Sequence, residues 1–331
     1  MRLEDGFGRV AADLRVSLTD RCNLRCTYCM PAEGLPWLPG AHLLTDDELV
    51  RVIRVAVDLG IHDVRFTGGE PLLRPGLPDI VAAVSAHPRS PRTSLTTNGI
   101  GLAAMASRLA DAGLNRVNVS LDTLDRGRFQ QIARRDRLDD VLRGLDAAAS
   151  AGLTPVKVNA VLLRGVNDDE AVPLLEFCLE RGFILRFIEQ MPLDPQHGWS
   201  REEMISADEV LAALSSSFDL RPDEEPRGSR PAERFVVSRN GVDLGLVGII
   251  GSVTRPFCSD CDRVRLTADG AIRNCLFARD EHPLRDIVRG GGTDDDVAQV
   301  FARAMRTKKA GHGIGDPGFE QPLRPMSAIG G

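Results

Sequence analysis

Three thiols packed into eight residues are the most chemically capable feature of this chain. Cys22, Cys26 and Cys29 form a CxxxCxxC array within 21–30, a stretch that reads as a loop after a strand. Thiolate is a soft ligand that favours zinc or iron–sulfur clusters. Structural zinc and most clusters take four protein ligands, and no fourth Cys or His lies nearby. An incomplete ligand set leaves a coordination position open for chemistry, so an open cluster is the leading reading. Zinc completed from afar and reactive thiols are the alternatives. An odd number of thiols at tight spacing argues against a disulfide.

A second triplet lies far along the chain. Cys258 and Cys261 form CxxC, and Cys275 follows after thirteen residues. A zinc site there needs a fourth ligand, for which His282 is the nearest candidate. Between these cysteines stand Arg263 and Arg265, two apart and so on one face of an expected strand, a spacing suited to bidentate phosphate binding. Cys178 stands alone in an apolar helical stretch, 174–179, and reads as core.

Bulk properties narrow the setting. With 331 residues the chain is long enough for one large α/β domain and an extension. A net charge of −6 argues against general nucleic-acid binding, so an anion site must be local. No apolar run approaches the roughly 18–20 residues of a membrane span, and the first ten residues carry Arg, Glu and Asp without an apolar signal core. A cytoplasmic, reducing location is expected, which suits two metal centres better than disulfides. Of 41 basic residues only Lys157, Lys308 and Lys309 are lysine. Lysine is a compact point charge and arginine a planar fork; Lys157 either marks a place where a guanidinium does not fit or is chance.

The elements that must position these groups alternate. Strands are expected at 13–18, 63–67, 93–97, 116–121, 156–162 and 184–188. Helices are expected at 45–59 (Thr45 and Glu48 as a capping box), 77–86, 102–112, 126–133, 138–151 and 169–181. Six such units point to a parallel sheet with right-handed crossovers, as a partial (β/α)6 barrel or an open doubly wound sheet. Several strands carry polar residues at every second position: Arg15 and Ser17, Arg65 and Thr67, Ser94 and Thr96, Asn118 with Ser120 and Asp122, Lys157 and Asn159. Strands covered on both faces are usually apolar throughout, and barrel lumens are filled with apolar side chains. Polar faces turned inward therefore imply a polar, anionic ligand; solvated edges are the bland reading. A domain boundary is expected near residue 220, with 221–233 as a linker, a β segment at 234–250 turning at Asn240-Gly241, and the second cysteine triplet within 221–331.

The motifs also carry a resemblance. CxxxCxxC with Tyr28 before its third cysteine resembles the radical S-adenosylmethionine (SAM) superfamily. The stretches 13–22, 67–74 (Thr-Gly-Gly-Glu-Pro-Leu-Leu-Arg), 95–99, 118–122 and 257–267, with the Gly-Gly end, resemble the GTP 3′,8-cyclases of molybdenum cofactor biosynthesis along essentially the whole chain. Position 262, often Asn in relatives, is Asp262. The resemblance implies a partial (β/α)6 barrel, 1–220, closed by the C-terminal region. It implies a [4Fe–4S] cluster on Cys22, Cys26 and Cys29 that binds SAM, with Gly69, Ser120, Met191 and Tyr28 lining the SAM pocket. It implies a second [4Fe–4S] cluster on Cys258, Cys261 and Cys275 that meets the guanine of GTP. Arg15, Arg65, Thr96, Lys157, Arg186, Arg263 and Arg265 match GTP-contacting positions. Gly330 and Gly331 match a tail that reaches the active site, and with Arg263 and Arg265 are the expected catalytic positions.

The implied reaction begins with a 5′-deoxyadenosyl radical that takes the ribose 3′ hydrogen of GTP. It ends at (8S)-3′,8-cyclo-7,8-dihydroguanosine 5′-triphosphate. A flavodoxin or ferredoxin as reductant, cyclic pyranopterin monophosphate synthase as recipient, and a homodimer are the implied partners. A radical SAM enzyme acting on a peptide, or a non-enzymatic iron–sulfur or zinc sensor, are the competing readings. The first normally brings more C-terminal cysteines, and the second has no need of a polar lumen.

Overall fold

A computed structural model describes residues 1–329. Strands and helices alternate through the first part of the chain: β1 (Asp13–Ser17), α1 (Asp46–Asp58), β2 (Asp63–Thr67), α2 (Leu77–Ser85), β3 (Arg92–Thr97), α3 (Leu102–Asp111), β4 (Arg116–Ser120), α4 (Arg126–Ala133), α5 (Leu138–Ser150), β5 (Lys157–Ala160), α6 (Ala171–Glu180) and β6 (Ile184–Ile188). Local chemistry sets the ends. Thr45 accepts from the Glu48 amide while the Glu48 carboxylate accepts from the Thr45 amide, so two amides at the start of α1 are satisfied reciprocally. The remaining elements are α7 (Ala207–Ser215), β7 (Asp219–Pro222), β8 (Glu233–Arg239), β9 (Val242–Ile250), β10 (Arg263–Leu266), β11 (Ala271–Arg273), β12 (His282–Pro283), α8 (Arg285–Arg289), α9 (Asp294–Arg306) and α10 (Met326–Ile329).

The strands form a single sheet in the order β12-β11-β10-β1-β2-β3-β4-β5-β6-β9-β8-β7. From β10 through β1–β6 to β9 every pairing is parallel. One face is apolar and packs under the helices: Leu14, Val16, Val64, Phe66, Leu95, Val117, Val119, Val158, Leu185, Ile249 and Val264 are almost completely buried in the main core. The opposite face carries the polar residues, and the sheet curves so that those of β1, β2, β3, β5, β6 and β10 line one cavity. This is an incomplete barrel, since β12 and β7 end the sheet without pairing to each other.

The later chain departs from the expected layout. Residue 220 falls inside β7, and 221–233 is not wholly a linker: Arg221 and Pro222 pair with Val236 and Phe235 of β8. Proline is tolerated there because β7 is an edge strand. Nor does the C-terminal region stand apart. Its β9 extends the barrel beside β6, and its β10 extends it beside β1. The long helix α9 was not anticipated. Thr293 and Asp296 form its capping box, three aspartates fill its first turn, and Arg303 and Arg306 its last, each charge matched to the helix dipole. Its Val297, Val300, Phe301, Ala304 and Met305 are buried.

Glu189, one residue beyond β6, ties the halves together. Its carboxylate accepts from the amides of Ala207, Val253 and Thr254 and from the Thr254 hydroxyl. Glu189→Ala leaves the buried Ala207 and Val253 amides unmet, at roughly 1–3 kcal/mol each, and also removes the two part-buried bonds from Thr254. Denaturant unfolding of the reduced protein should show a loss of at least about 3 kcal/mol; a loss under about 1 kcal/mol contradicts this role.

Candidate active site

Two cavities share the polar face. The first is lined by Cys22, Cys26, Cys29, Tyr28, Gly68, Gly69, Thr96, Ser120 and Asp122, with Met326 and Ser327 of α10 at its edge. The cysteine loop and the Gly-Gly-Glu-Pro turn are laced together by backbone bonds: the Gly69 amide donates to Thr19 O and the Glu70 amide to Arg21 O, both at 2.7 Å. This close approach demands glycine. A Cβ on Gly68, whose φ is +138°, would meet Thr19 O at 2.4 Å, and one on Gly69 would meet Arg21 O at 2.2 Å. Glu70 points inward and fixes the neighbouring strand end, accepting from the Leu72 amide, the Thr97 hydroxyl and the Asn98 amide. Burial pushes its carboxyl up to about 7 against those bonds. The Tyr28 hydroxyl donates to Asp122 at 2.7 Å, and burial lifts Asp122 to about 6.

The thiols suit a metal group. Burial, then neighbouring negative charge, pushes Cys26 well up and Cys29 up to about 12. Such thiols ionise when bound metal supplies positive charge. Among the described residues no three His, Cys, Asp or Glu side chains converge tightly enough for a single ion; the thiols are spread around a cavity instead.

The second cavity is lined by Cys258, Cys261 and Cys275 together with Arg15, Arg65, Thr96, Asn159, Arg186, Arg263 and Arg265, and Arg263 reaches to 3.8 Å from the Cys261 sulfur. The parallel register explains the assembly. Arg265, Arg15 and Arg65 are direct partners across β10, β1 and β2. Asn118 pairs with Lys157, and Asn159 with Arg186. Paired residues share a face, so a row of cations follows from strand alignment alone. Arg15, Arg186, Arg263 and Arg265 are each no more than 7% exposed.

Asp13 is the carboxylate set among them, 3.3 Å from Arg15 Nε and 3.8 Å from Arg263 Nε. Burial works against its charge, yet Arg15, Arg65 and Arg263 hold its carboxyl below the usual range. The cations are under the opposite stress. Burial, then Arg15, pushes Arg186 down to about 9 and lowers Arg265. Burial lowers Arg65 strongly, with Arg15 adding to it. Burial, then Arg186, Arg116 and Arg65, pushes Lys157 down to about 7. The Nε atoms of Arg65, Arg186 and Arg263 are buried without a hydrogen-bond partner among the described residues. A buried cation row with unmet donors fits a polyanion.

Most of the expected site residues converge on these cavities. Thr96 lines both. Met191 lines the second cavity, not the first where SAM-pocket membership would place it, because it follows β6 on the far side of the barrel. Lys157 is in the lining of neither cavity; it pairs with Asn118 of β4 and Ile184 of β6. His282 lines neither cavity; it pairs in β12 and contacts Thr307, so it is no fourth ligand to the second triplet. Gly330 and Gly331 lie outside the described residues. Asp13, Glu70, His312 and Lys308 are not among the expected site residues, and Asp122 is expected only as part of the polar strand face. Asp13 stood two residues before Arg15 on the same strand face, a readable signal; Lys308 follows α9, which was itself unread.

Fold and site together define a radical SAM enzyme. Residues 16–178 match the Radical SAM superfamily and residues 183–314 match Molybdenum Cofactor Synthesis C. The chain belongs to the GTP 3′,8-cyclase family. It is 61% identical over 330 residues to a GTP 3′,8-cyclase of Mycobacterium sp. strain KMS, covering 99% of this chain and 93% of the relative. It is also 61% identical over 333 residues to that of Streptomyces coelicolor, covering 99% and 96%, and 58% identical over 336 residues to that of Corynebacterium glutamicum, covering 99% and 89%. Among solved structures, Streptococcus suis SuiB bound to S-adenosylmethionine shares the fold, with a TM-score of 0.60 at 14% identity over 88% of this chain and 68% of that one.

Two outcomes follow. Gly69→Ala forces the cysteine loop and the turn apart, so SAM affinity measured by equilibrium dialysis should fall at least about tenfold while iron on the second triplet is retained; unchanged SAM affinity contradicts the packing argument. An anion in the second cavity favours charged Lys157, which below pH 7 is already protonated and above it must take up a proton. Tripolyphosphate affinity should therefore fall as pH rises from 7 to 8, by up to about tenfold for one proton. Lys157→Arg should flatten that profile in calorimetric titration.

Proposed function

We infer that this chain is a GTP 3′,8-cyclase, a radical SAM lyase that converts GTP to (8S)-3′,8-cyclo-7,8-dihydroguanosine 5′-triphosphate in the first step of molybdenum cofactor biosynthesis. The observation that carries the reading is the row of buried cations facing a cysteine triplet inside a barrel whose other end holds the radical SAM cysteines. The strands β1–β6 and the loops after them serve SAM and the phosphates, and the chain beyond β6, which adds β9 and β10 to the same barrel, supplies the second cysteine triplet.

When bound on Cys22, Cys26 and Cys29, a [4Fe–4S] cluster supplies the electron that cleaves SAM and starts the radical reaction. The protein's own residues do the rest. The Gly68-Gly69 turn holds the backbone close enough to receive the SAM amino group, and Ser120 and the Tyr28 backbone line the same pocket. Arg15, Arg65, Lys157, Arg186, Arg263 and Arg265 neutralise the triphosphate, and Thr96 stands where the two cavities meet. Cys258, Cys261 and Cys275 would hold a second [4Fe–4S] cluster that would bind the guanine, while the cations hold the triphosphate in the same cavity. Holding the ribose between them turns hydrogen transfer into an intramolecular event, an advantage of about 7–11 kcal/mol at most. The apolar cluster of Leu193, Val253, Phe277 and Ile314 packs against Cys275.

A flavodoxin- or ferredoxin-type reductant, delivery of the product to cyclic pyranopterin monophosphate synthase, and a cytoplasmic homodimer complete the reading; they rest on the family resemblance. No helix among the described residues is long and apolar enough to cross a membrane.

The test is an anaerobic assay of reconstituted protein with dithionite, SAM and GTP, read by mass spectrometry. GTP-dependent 5′-deoxyadenosine together with the cyclised nucleotide supports the reading, and SAM cleavage indifferent to GTP overturns it. Arg263→Ala should lower product at least about a hundredfold with both clusters still loaded; unchanged turnover removes Arg263 from the machinery.

A further inference from the structure

The second cysteine triplet is approached from two sides. One is the cavity with the cation row. The other is a cavity of about 430 Å³ lined by Arg9, Lys308 and Phe319, which shares the three cysteines, Phe277 and His312 with the first. From that second side comes Lys308, only 5% exposed in a chain with few lysines. Its Nζ lies 2.9 Å from Cys261 O, 2.8 Å from Arg263 O and 3.5 Å from the Cys261 sulfur. All three are acceptors. A neutral amine has two N–H bonds and an ammonium has three, so the geometry calls for the charged form. A planar guanidinium does not present three donors from one point, which gives lysine here a physical reason.

The lysine is held rigidly. It follows α9, whose last turn is tied to the cysteine loop where Asn274, beside Cys275, donates to Ala304 O at 2.8 Å and Thr307 Oγ1 at 3.0 Å. On the other flank Arg9, fixed by Asp5, donates to Lys309 O and Ala310 O and to Cys258 O. The segment that carries Lys308 and the segment that carries the thiols are thus one clamped unit.

We propose that Lys308 is a positioning residue of the second cluster, which raises its reduction potential through the charge-assisted hydrogen bond to the Cys261 sulfur. This rests on the assignment of Cys258, Cys261 and Cys275 to a cluster. Reduction adds negative charge to the cluster and its thiolates, and a fixed ammonium at one sulfur stabilises the reduced state more than the oxidised one. Arg263 also reaches Cys261 at 3.8 Å, but it faces the substrate cavity, whereas Lys308 tunes the cluster from behind without touching substrate.

The test uses the full chain with Cys22, Cys26 and Cys29 changed to Ala, so that the second cluster alone reports in an anaerobic redox titration followed by electron paramagnetic resonance. In that background Lys308→Met should lower the reduced-to-oxidised ratio, at the parent's midpoint, by about tenfold or more, equivalent to 59 mV for one electron. Lys308→Gln, which keeps a donor but not the charge, should fall between the two. Lys309→Met, at an exposed neighbour, should leave the ratio unchanged. A ratio in Lys308→Met and Lys308→Gln equal to the parent's overturns the proposal. If Lys308→Met fails to load iron, Lys308→Gln decides: a shift in the same direction supports it and no shift overturns it. A parent that takes up no iron at all overturns the cluster assignment itself, and the proposal with it.

Discussion

Bringing several positive charges into one low-dielectric cavity is costly, and much of this structure answers that cost. Arg15, Arg65, Arg186, Arg263, Arg265 and Lys157 lie on one face of a curved sheet, with Asp13 set among them. Burial and mutual repulsion press several of them toward neutrality. An arrangement of this kind is retained when a ligand brings the missing negative charge, and a triphosphate does so along a line that matches a row of strands. The same stress that disfavours the empty site becomes binding energy once the anion enters.

The fold makes this row by register rather than by loop design. Parallel strands in alignment place residues of equal phase side by side, so polar alternation in each strand becomes a band across the sheet. The barrel strands alone leave the band short. β10 lengthens it, carrying Arg263 and Arg265 alongside Asp13 and Arg15, and the same segment begins just after Cys261. Cation row and second triplet are therefore joined by a few residues of chain. At the other end, Gly68 and Gly69 let the turn after β2 touch the loop that carries the first triplet. Both cysteine sites are thus referred to the same strands, with Thr96 common to the two cavities.

Much of this was legible in the sequence. Period-two polarity in strands that ought to be apolar exposed Arg15, Arg65, Thr96 and Asn159, and the capping box at Thr45 fixed the start of α1. What escaped depends on long-range pairing. Nothing local tells that β9 will lie parallel to β6, or that β10 will join β1, so a separate C-terminal unit was the natural expectation. Arg221 and Pro222 read as linker because charge and proline mark loops, yet an edge strand tolerates both. Lys308 could be counted but not placed, since its role depends on where the end of α9 docks. Met191 was assigned to one pocket and lines the other, because a loop after a strand can turn to either side of a barrel mouth.

The central claim is that the cation row exists to hold the phosphates. Calorimetric titration of the cluster-loaded protein with GTP and, separately, with guanosine tests it most directly. The account predicts tight GTP binding that takes up protons above pH 7 and weakens with salt, with guanosine at least about a hundredfold weaker. Guanosine binding as tightly as GTP, without proton uptake, would contradict it.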